Sequence, residues 1–454
     1  MTRWRRARLA TGAGTFALVA SWLMTAAGPA QGAFPGQNGL LYCSSTRFGT
    51  TEIMAFDPTG AEAPRRLTNN VFDDFEPTPS PDGTRIAFTS TRGDRDQEIW
   101  VMYQDGSGAK RLTFTPGEDR PGTFSPDGTK IAFHSRRFGD PPAGPGHSSL
   151  EVMVMNADGT NQTRMTNNNF QDSFAHWSPG GDRIAFTTNR DSGPDASGTF
   201  VSNFEIYTLV PVDADNDGNA DVQTRVTNSP GEDAHAHWSP DGSQLTFHSR
   251  RDATPSAPGI IEIYRASSAN GSNAVRLTND DVFDAFPVWS PDGRKIAWSR
   301  EFPSEVFTMD ATNGGAKTNI SNHPADDTRC DWARQLPCTI TGSGDIVGTE
   351  GDDVICGSPG NDRILAGGGN DVVYAGAGDD QVDAGAGNDI VFGKQGNDRI
   401  LGGDGNDMLF GDQGNDQLSG DAGDDIISGS EDTDQVLGGP GTDECYGEAV
   451  FQCP

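Results

Sequence analysis

Residues Gly348 to Tyr446 read GTEGDDVIC, GSPGNDRIL, AGGGNDVVY, AGAGDDQVD, AGAGNDIVF, GKQGNDRIL, GGDGNDMLF, GDQGNDQLS, GDAGDDIIS, GSEDTDQVL and GGPGTDECY, eleven units of nine residues without an insertion. An aspartate holds the sixth place of every unit: Asp353, Asp362, Asp371, Asp380, Asp389, Asp398, Asp407, Asp416, Asp425, Asp434 and Asp443. Two places before each stands a glycine, with Asp432 the exception. Two places after each stands a small aliphatic, from Ile355 and Ile364 through Val436, until Cys445 ends the series. Sequence rich in Gly, Asp and Asn is often a disordered acidic tail. Disorder does not require an aliphatic and an aspartate in constant register, so the stretch is a structural repeat whose glycines supply tight turns.

The pattern G-G-x-G-x-D-x-U-x resembles the hemolysin-type (RTX) calcium-binding repeat. The resemblance implies a parallel β-roll in which two units make one coil of eighteen residues. Six positions turn, three form a short strand, and the eighth residue points inward. It also implies several Ca²⁺ ions, each held between the aspartate of one unit and the aspartate two units later, with help from turn carbonyls; hard oxygen ligands suit this ion. Without metal, like carboxylates about 4.8 Å apart on successive coils repel by about 0.9 kcal/mol per pair even in bulk water, so the empty roll is expected to be loose or unfolded. Upstream, Thr339 to Val347 keeps Gly342 and Ile346 in register but has Gly344 at the aspartate place, which reads as a cap. The best-formed sites are expected from Asp362 to Asp425, and the weakest in the last two turns, where Asp432 and Thr433 spoil the pattern.

A longer unit recurs between Phe34 and Trp332. Its clearest words are Ser-Pro-Asp-Gly at Ser80, Ser125, Ser239 and Ser290, with Ser-Pro-Gly-Gly at Ser178. Each precedes a strand (RIAFTS, KIAFHS, RIAFTT, QLTFHS, KIAWS), then a second strand and a turn, then a closing strand before pairs such as Leu67-Thr68 and Leu277-Thr278. An aspartate recurs five residues before a tryptophan position, at Asp74, Asp119, Asp172, Asp233, Asp284 and Asp327, with Trp177, Trp238, Trp289 and Trp332 at four of the partner positions. This resembles the PD40 (WD40-like, TolB-type) β-propeller repeat and implies six four-stranded blades. The first unit lacks an inner strand and Asp327 to Trp332 is an inner strand with nothing after it, so the two are expected to complete the sixth blade together. The fold class is therefore all-β: a six-bladed β-propeller over 34–333, a linker over 334–338 and a C-terminal parallel β-roll over 339–454.

The chain of 454 residues carries a formal charge of −32, unevenly placed. From Asp345 onward, twenty Asp and four Glu face only Arg363, Lys394 and Arg399. Such a surface repels phosphates, which excludes nucleic acid as a partner, and it favours cations. Residues 1–33 hold Arg3, Arg5, Arg6 and Arg8, an apolar run from Thr15 to Met24, and small residues around Ala30 to Ala33. That layout reads as a secretory signal peptide cleaved near Ala30 to Ala33, too short in its apolar run to span a bilayer; Arg5-Arg6 leaves general and twin-arginine export both open. No later segment is long and apolar enough to span a membrane. Six cysteines fit an oxidising compartment, and the absence of a C-x-x-C pair argues against zinc. Cys338 and Cys356 lie one coil apart and are expected to pair; Cys445 and Cys453 would close the C-terminal end; Cys43 and Cys330 remain, brought together by ring closure. The location expected is extracellular or on the cell envelope of a bacterium, free or wall-associated.

Further candidates lie in the propeller. Asp213, Asp215, Asp217 and Asp221, with Gly218, resemble the D-x-D-x-D-G calcium loop; Thr224 at the twelfth place excludes an EF-hand. The six recurring aspartates are expected to accept hydrogen bonds from blade-connecting loops, the alternative being an anionic ring at one mouth. The tryptophans read as packing between blades. His176, His235 and His237 fall on inner strands lining the channel, while His134 and His248 recur at one strand position and read as framework. No G-x-S-x-G, Walker A, H-E-x-x-H or dinucleotide fingerprint is present, so a non-enzymatic calcium-binding protein is expected, with a protein or glycan ligand at the propeller mouth. The alternatives are a carbohydrate lyase acting through His235 and His237, and an envelope protein-interaction module of the TolB sort.

Overall fold

The computed structural model describes residues 37–453 except Ala61, Asp94, Arg95, 139–149, 195–199, Ser202, Asn216, 253–259, Asp281, Phe302, Pro303, Glu448 and Gln452. The signal peptide expected over 1–33 lies outside the described residues. Every regular element described is a strand, and no helix among the described residues is long and apolar enough to cross a membrane.

Six four-stranded antiparallel sheets form the blades. Their inner strands are Asp74–Pro79, Asp119–Phe124, Asp172–Trp177, Asp233–Trp238, Asp284–Trp289 and Asp327–Gln335. The Ser-Pro-Asp-Gly words make the turns that follow. In the first, Gly83 N–H donates to the Ser80 carbonyl at 3.0 Å and Asp82 Oδ1 accepts from Thr84 N–H at 3.0 Å, while Gly83 adopts φ +76°, which a side chain would oppose. In Ser178-Pro-Gly-Gly the missing carboxylate comes from Asp182, whose Oδ1 accepts the Ser178 hydroxyl at 2.9 Å. The strands that follow are almost wholly buried, as in Arg85–Ser90 and Ile184–Thr188.

The ring closes as the sequence implies. Inner strand Asp327–Gln335 pairs antiparallel with Gln37–Ser45, and the Cys43–Cys330 disulfide joins them across a separation of 287 residues. Arg47, at the end of Gln37–Ser45, reaches Asp327 at 2.7 Å. The same pairing recurs inside the other blades as Arg92–Asp74, Arg137–Asp119, Arg190–Asp172, Arg251–Asp233 and Arg300–Asp284. All six aspartates are fully buried, and Asn70 and Asn168 in the connecting loops add hydrogen bonds to Asp74 and Asp172. The recurring aspartates are thus blade framework. The guanidiniums that compensate them are the part that sequence inspection missed.

The C-terminal strands form two seven-stranded parallel sheets in which partners lie eighteen residues apart, as in Val373 with Val391 and Ile364 with Val382, except at the ends, where Ile340 pairs with Ile355 and Gln435 with Ala449. The eighth-place side chains from Ile355 to Val436 fill a continuous core with Ile346 of the cap. Cys338–Cys356 and Cys445–Cys453 are bonded. One sheet faces the propeller. Its ninth-place residues Tyr374, Phe392 and Phe410 stack with centroids 5.2 and 5.4 Å apart, and Tyr103 of the propeller packs on Phe410 at 6.1 Å and Tyr446 at 5.8 Å. Asp105 accepts from Ser430 at 2.9 Å, Gln395 donates to Glu62 at 2.9 Å, and Arg65 lies 3.6 Å from Asp412.

Replacing Cys43 and Cys330 together by alanine is expected to cost the propeller roughly 5–6 kcal/mol, the loop-entropy scale for so long a closed segment. Urea unfolding followed by tryptophan fluorescence reads this, with the roll's response to calcium unchanged.

Candidate metal centre

Each sixth-place aspartate ends a glycine-rich turn just before its short strand. Its carboxylate reaches back one coil: Oδ1 of Asp371 accepts the Asp353 N–H at 2.8 Å, Oδ1 of Asp389 the Asp371 N–H at 2.8 Å, Oδ1 of Asp407 the Asp389 N–H at 2.9 Å, and Oδ1 of Asp425 the Asp407 N–H at 2.9 Å. The alternate units make the same file through Asp380, Asp398, Asp416 and Asp434. One oxygen of each is therefore fixed by the backbone. The other, Oδ2 of Asp371, Asp380, Asp389, Asp398, Asp407, Asp416, Asp425 and Asp443, is buried and accepts no hydrogen bond. A buried carboxylate oxygen without a partner is costly unless a cation meets it.

From the sixth unit onward the space beside that oxygen is kept free of side chain. A Cβ on Gly402 would fall 2.4 Å from Oδ2 of Asp407, and one on Gly411 2.2 Å from Oδ2 of Asp416. In the third to fifth units the first place is Ala366, Ala375 and Ala384 instead, whose methyls join the core. Burial pushes the carboxyls of Asp398, Asp407 and Asp416 up to about 7 and those of Asp380 and Asp389 up to about 6, against the lowering effect of the N–H bond each accepts. Asp371 and Asp425 are raised for the same reason. Oxygen-only donors in a constrained turn, with orphaned buried oxygens and a raised proton affinity, fit a hard divalent cation such as Ca²⁺.

The first two repeats differ from the expectation that Asp362 opens the best series. Asp353 accepts from Thr349 N–H and hydroxyl, both at 2.8 Å, and Asp362 from Ser358 N–H at 2.6 Å and from Gly344 N–H. Thr349 and Ser358 occupy the second place of their units, and local donors already satisfy these carboxylates. At the other end, where weaker sites are expected, Asp443 keeps the same geometry, with Oδ1 accepting from Asp425 N–H at 3.1 Å.

A second file escaped the sequence reading. Fifth-place side chains accept the N–H of the equivalent residue one coil on: Asn370 accepts from Asn388 at 2.8 Å, Asn388 from Asn406 at 2.8 Å and Asn397 from Asn415 at 3.0 Å. The signal was present as the Asn or Asp before nine of the eleven sixth-place aspartates, short side chains that carry a terminal acceptor oxygen, with Thr433 and Thr442 the exceptions.

In the acidic loop, ligand oxygens of Asp213, Asp215 and Asp221 lie within 4.8 Å of one another. Asp213 also accepts Gly218 N–H at 2.8 Å. Asp217 stands apart, turned to Asn219 N–H at 2.8 Å, and its charge raises the carboxyl of Asp215. A second carboxylate group, Glu262, Asp280 and Asp284, is compensated by Arg276 and Arg300 at 2.5–2.9 Å and belongs to the blade framework.

The channel histidines are divided. The third residue of five inner strands, Glu76, Phe174, His235, Phe286 and Arg329, has φ between 52° and 56° at a β-bulge. Each such N–H is accepted by a side chain of the preceding blade: Ser44, His134, Thr187, His248 and Ser299. His134 and His248 are therefore framework. The bulge gives His235 and His237 different neighbours, although both line the channel with His176. His235 packs against Phe174 and Phe286, whereas His237 faces His176 and lies 3.7 Å from Asp331. Burial pushes His176 down to about 3 and His235 well below the usual imidazole range, so both are neutral. Trp177, Trp238, Trp289 and Trp332 are buried in the clusters between blades.

Comparison with known proteins agrees with this geometry. The RTX calcium-binding nonapeptide repeat matches in four copies, over residues 347–382, 357–391, 383–418 and 410–445. The crystal structure of TolB from Acinetobacter baumannii superposes with a TM-score of 0.51 at 19% identity, covering 65% of this chain and 66% of that one. An uncharacterized protein of Agrobacterium fabrum (strain C58) is 28% identical over 165 residues, which is 34% of this chain and 48% of that protein, so the match spans about half of its length. The C-terminal array consists of RTX calcium-binding repeats, and the ring preceding it is a six-bladed propeller with the TolB fold.

In the metal-free roll Asp398, Asp407 and Asp416 hold protons up to about pH 7, whereas an unfolded chain releases them near pH ~4. The folded form binds more protons across that window, so its stability falls as pH rises from about 4 to about 7. Circular dichroism in chelator is expected to show more β-structure at the acid end and a loss toward neutrality, with saturating calcium removing the trend. Gly411→Ala, which sets a methyl against Asp416, is expected to raise the calcium needed for half the β-signal roughly ten-fold.

Proposed function

We propose that this calcium-binding propeller protein is exported and acts outside the cytoplasm without catalysis, its roll folding as Ca²⁺ enters after export. The observation that carries this reading is the file of buried aspartate oxygens without hydrogen-bond partners, repeated at eighteen-residue intervals along both halves of the coil. Asp371 to Asp443 would supply carboxylate ligands, each ion lying between aspartates two units apart, and Asp353 and Asp362 would cap the array. Asp213, Asp215 and Asp221 would hold a further, more exposed ion, with Asp217 outside its ligand set. Binding free energy becomes folding free energy when only the folded state holds the metal. Low cytoplasmic calcium would keep the roll unfolded during synthesis, and the three disulfides fit an oxidising destination.

In this reading 34–333 is the binding module, 334–338 the connection and 339–454 the calcium-dependent module. The propeller offers a protein or glycan partner its open face. Its channel histidines are packed among aromatic rings or held beside Asp331, which supports a binding role over a lyase built on His235 and His237.

Calcium titration of the full chain, followed by far-UV circular dichroism, is the test. A cooperative gain of β-signal reversed by chelator is expected; a spectrum indifferent to calcium would remove the proposal.

A further inference from the structure

Between the propeller and the roll lies a cleft of about 600 Å³, within the range of small-molecule sites, which favour domain interfaces. Its walls belong to both modules. From the roll comes Asp412, only 2% exposed, neither of whose oxygens accepts a hydrogen bond. Lys394 Nζ at 3.1 Å and Arg65 Nη1 at 3.6 Å balance its charge but leave its directional acceptor capacity unused. From the propeller comes Gln104, 6% exposed, and from the end of inner strand Asp327–Gln335, where the connection begins, comes Arg334; their Nε2 and Nε respectively are buried donors without an acceptor. A native interior leaves few such groups unpaired, and here three that line one cavity are left so.

Their chemistry restricts the occupant. Asp412 asks for a donor; Gln104 and Arg334 ask for acceptors; a hydroxyl is both at once. An anion would meet Asp412 and a chain of charge −32, and a cation would meet Arg65, Lys394 and Arg334. The strands that line the cleft in the roll, Val354–Cys356, Val372–Ala377 and Ile390–Gln395, are paired on both sides, so the roll's wall offers no sheet edge to an extended peptide. We propose that the cleft binds a short neutral oligosaccharide. Because Asp412 comes from the roll and Gln104 from the propeller, the site is complete only while the roll is folded; this half rests on the calcium-dependent folding proposed above.

Isothermal titration of the full chain with maltotriose, cellotriose and tri-N-acetylchitotriose, with circular dichroism on the same samples, tests this. The expected result is that at least one trisaccharide binds in saturating calcium and not in chelator. Asp412→Asn and Gln104→Ala should each weaken it by roughly ten- to hundred-fold, with the calcium-induced spectrum and the melting temperature unchanged. No binding of any of the three to protein whose roll is folded overturns the proposal, as does binding that survives chelator or is indifferent to both variants. If the roll fails to order in calcium, the proposal falls with the reading it rests on, and the spectrum identifies that cause.

Discussion

A carboxylate removed from water has to be given a counter-charge or a proton. This protein meets the requirement in two ways. In the propeller each buried inner-strand aspartate has a guanidinium built into the chain, from Arg92 on Asp74 to Arg47 on Asp327. In the roll the basic residues are few, and Arg363 and Lys394 face Asp345 and Asp412 rather than the buried file. The propeller carries its own compensation; the roll takes it from solution.

The rest of the roll follows from that constraint. Holding one carboxylate oxygen on the backbone of the previous coil fixes the eighteen-residue register, and clearing side chain from beside the other requires glycine at Gly402 and Gly411. The same register stacks Tyr374, Phe392 and Phe410 into the surface that meets Tyr103 of the propeller. Coil and seam are thereby linked: the aromatic file exists only while the coils are stacked, so under the proposed calcium-dependent folding the ion would also assemble the face on which the propeller rests.

Much of this was legible in the chain because it is periodic. The nine-residue aspartate and aliphatic registers gave the coil, its core and its metal file, and an inner strand left without a blade at Asp327 predicted the ring closure and Cys43–Cys330. What stayed hidden depends on contacts between distant parts or on single departures from the period. Arg47 on Asp327 crosses the whole ring. The aromatic file appears only at every second unit, and nothing local shows which sheet will face Tyr103. Thr349 and Ser358 look like ordinary turn residues until their hydroxyls and N–H groups are found on Asp353 and Asp362. The bulge at His235, with φ 53°, gives His235 and His237 different neighbours along the channel that both line.

Hydrogen exchange by mass spectrometry on the full chain, with calcium and with chelator, addresses the central claim most directly. The amides of Asp371, Asp389 and Asp407, bonded to carboxylates of the next coil, should be protected in calcium and exchange rapidly without it, while propeller strands such as Ile184–Thr188 stay protected in both. Equal protection of segment 366–443 in chelator and in calcium would contradict a roll held together by metal.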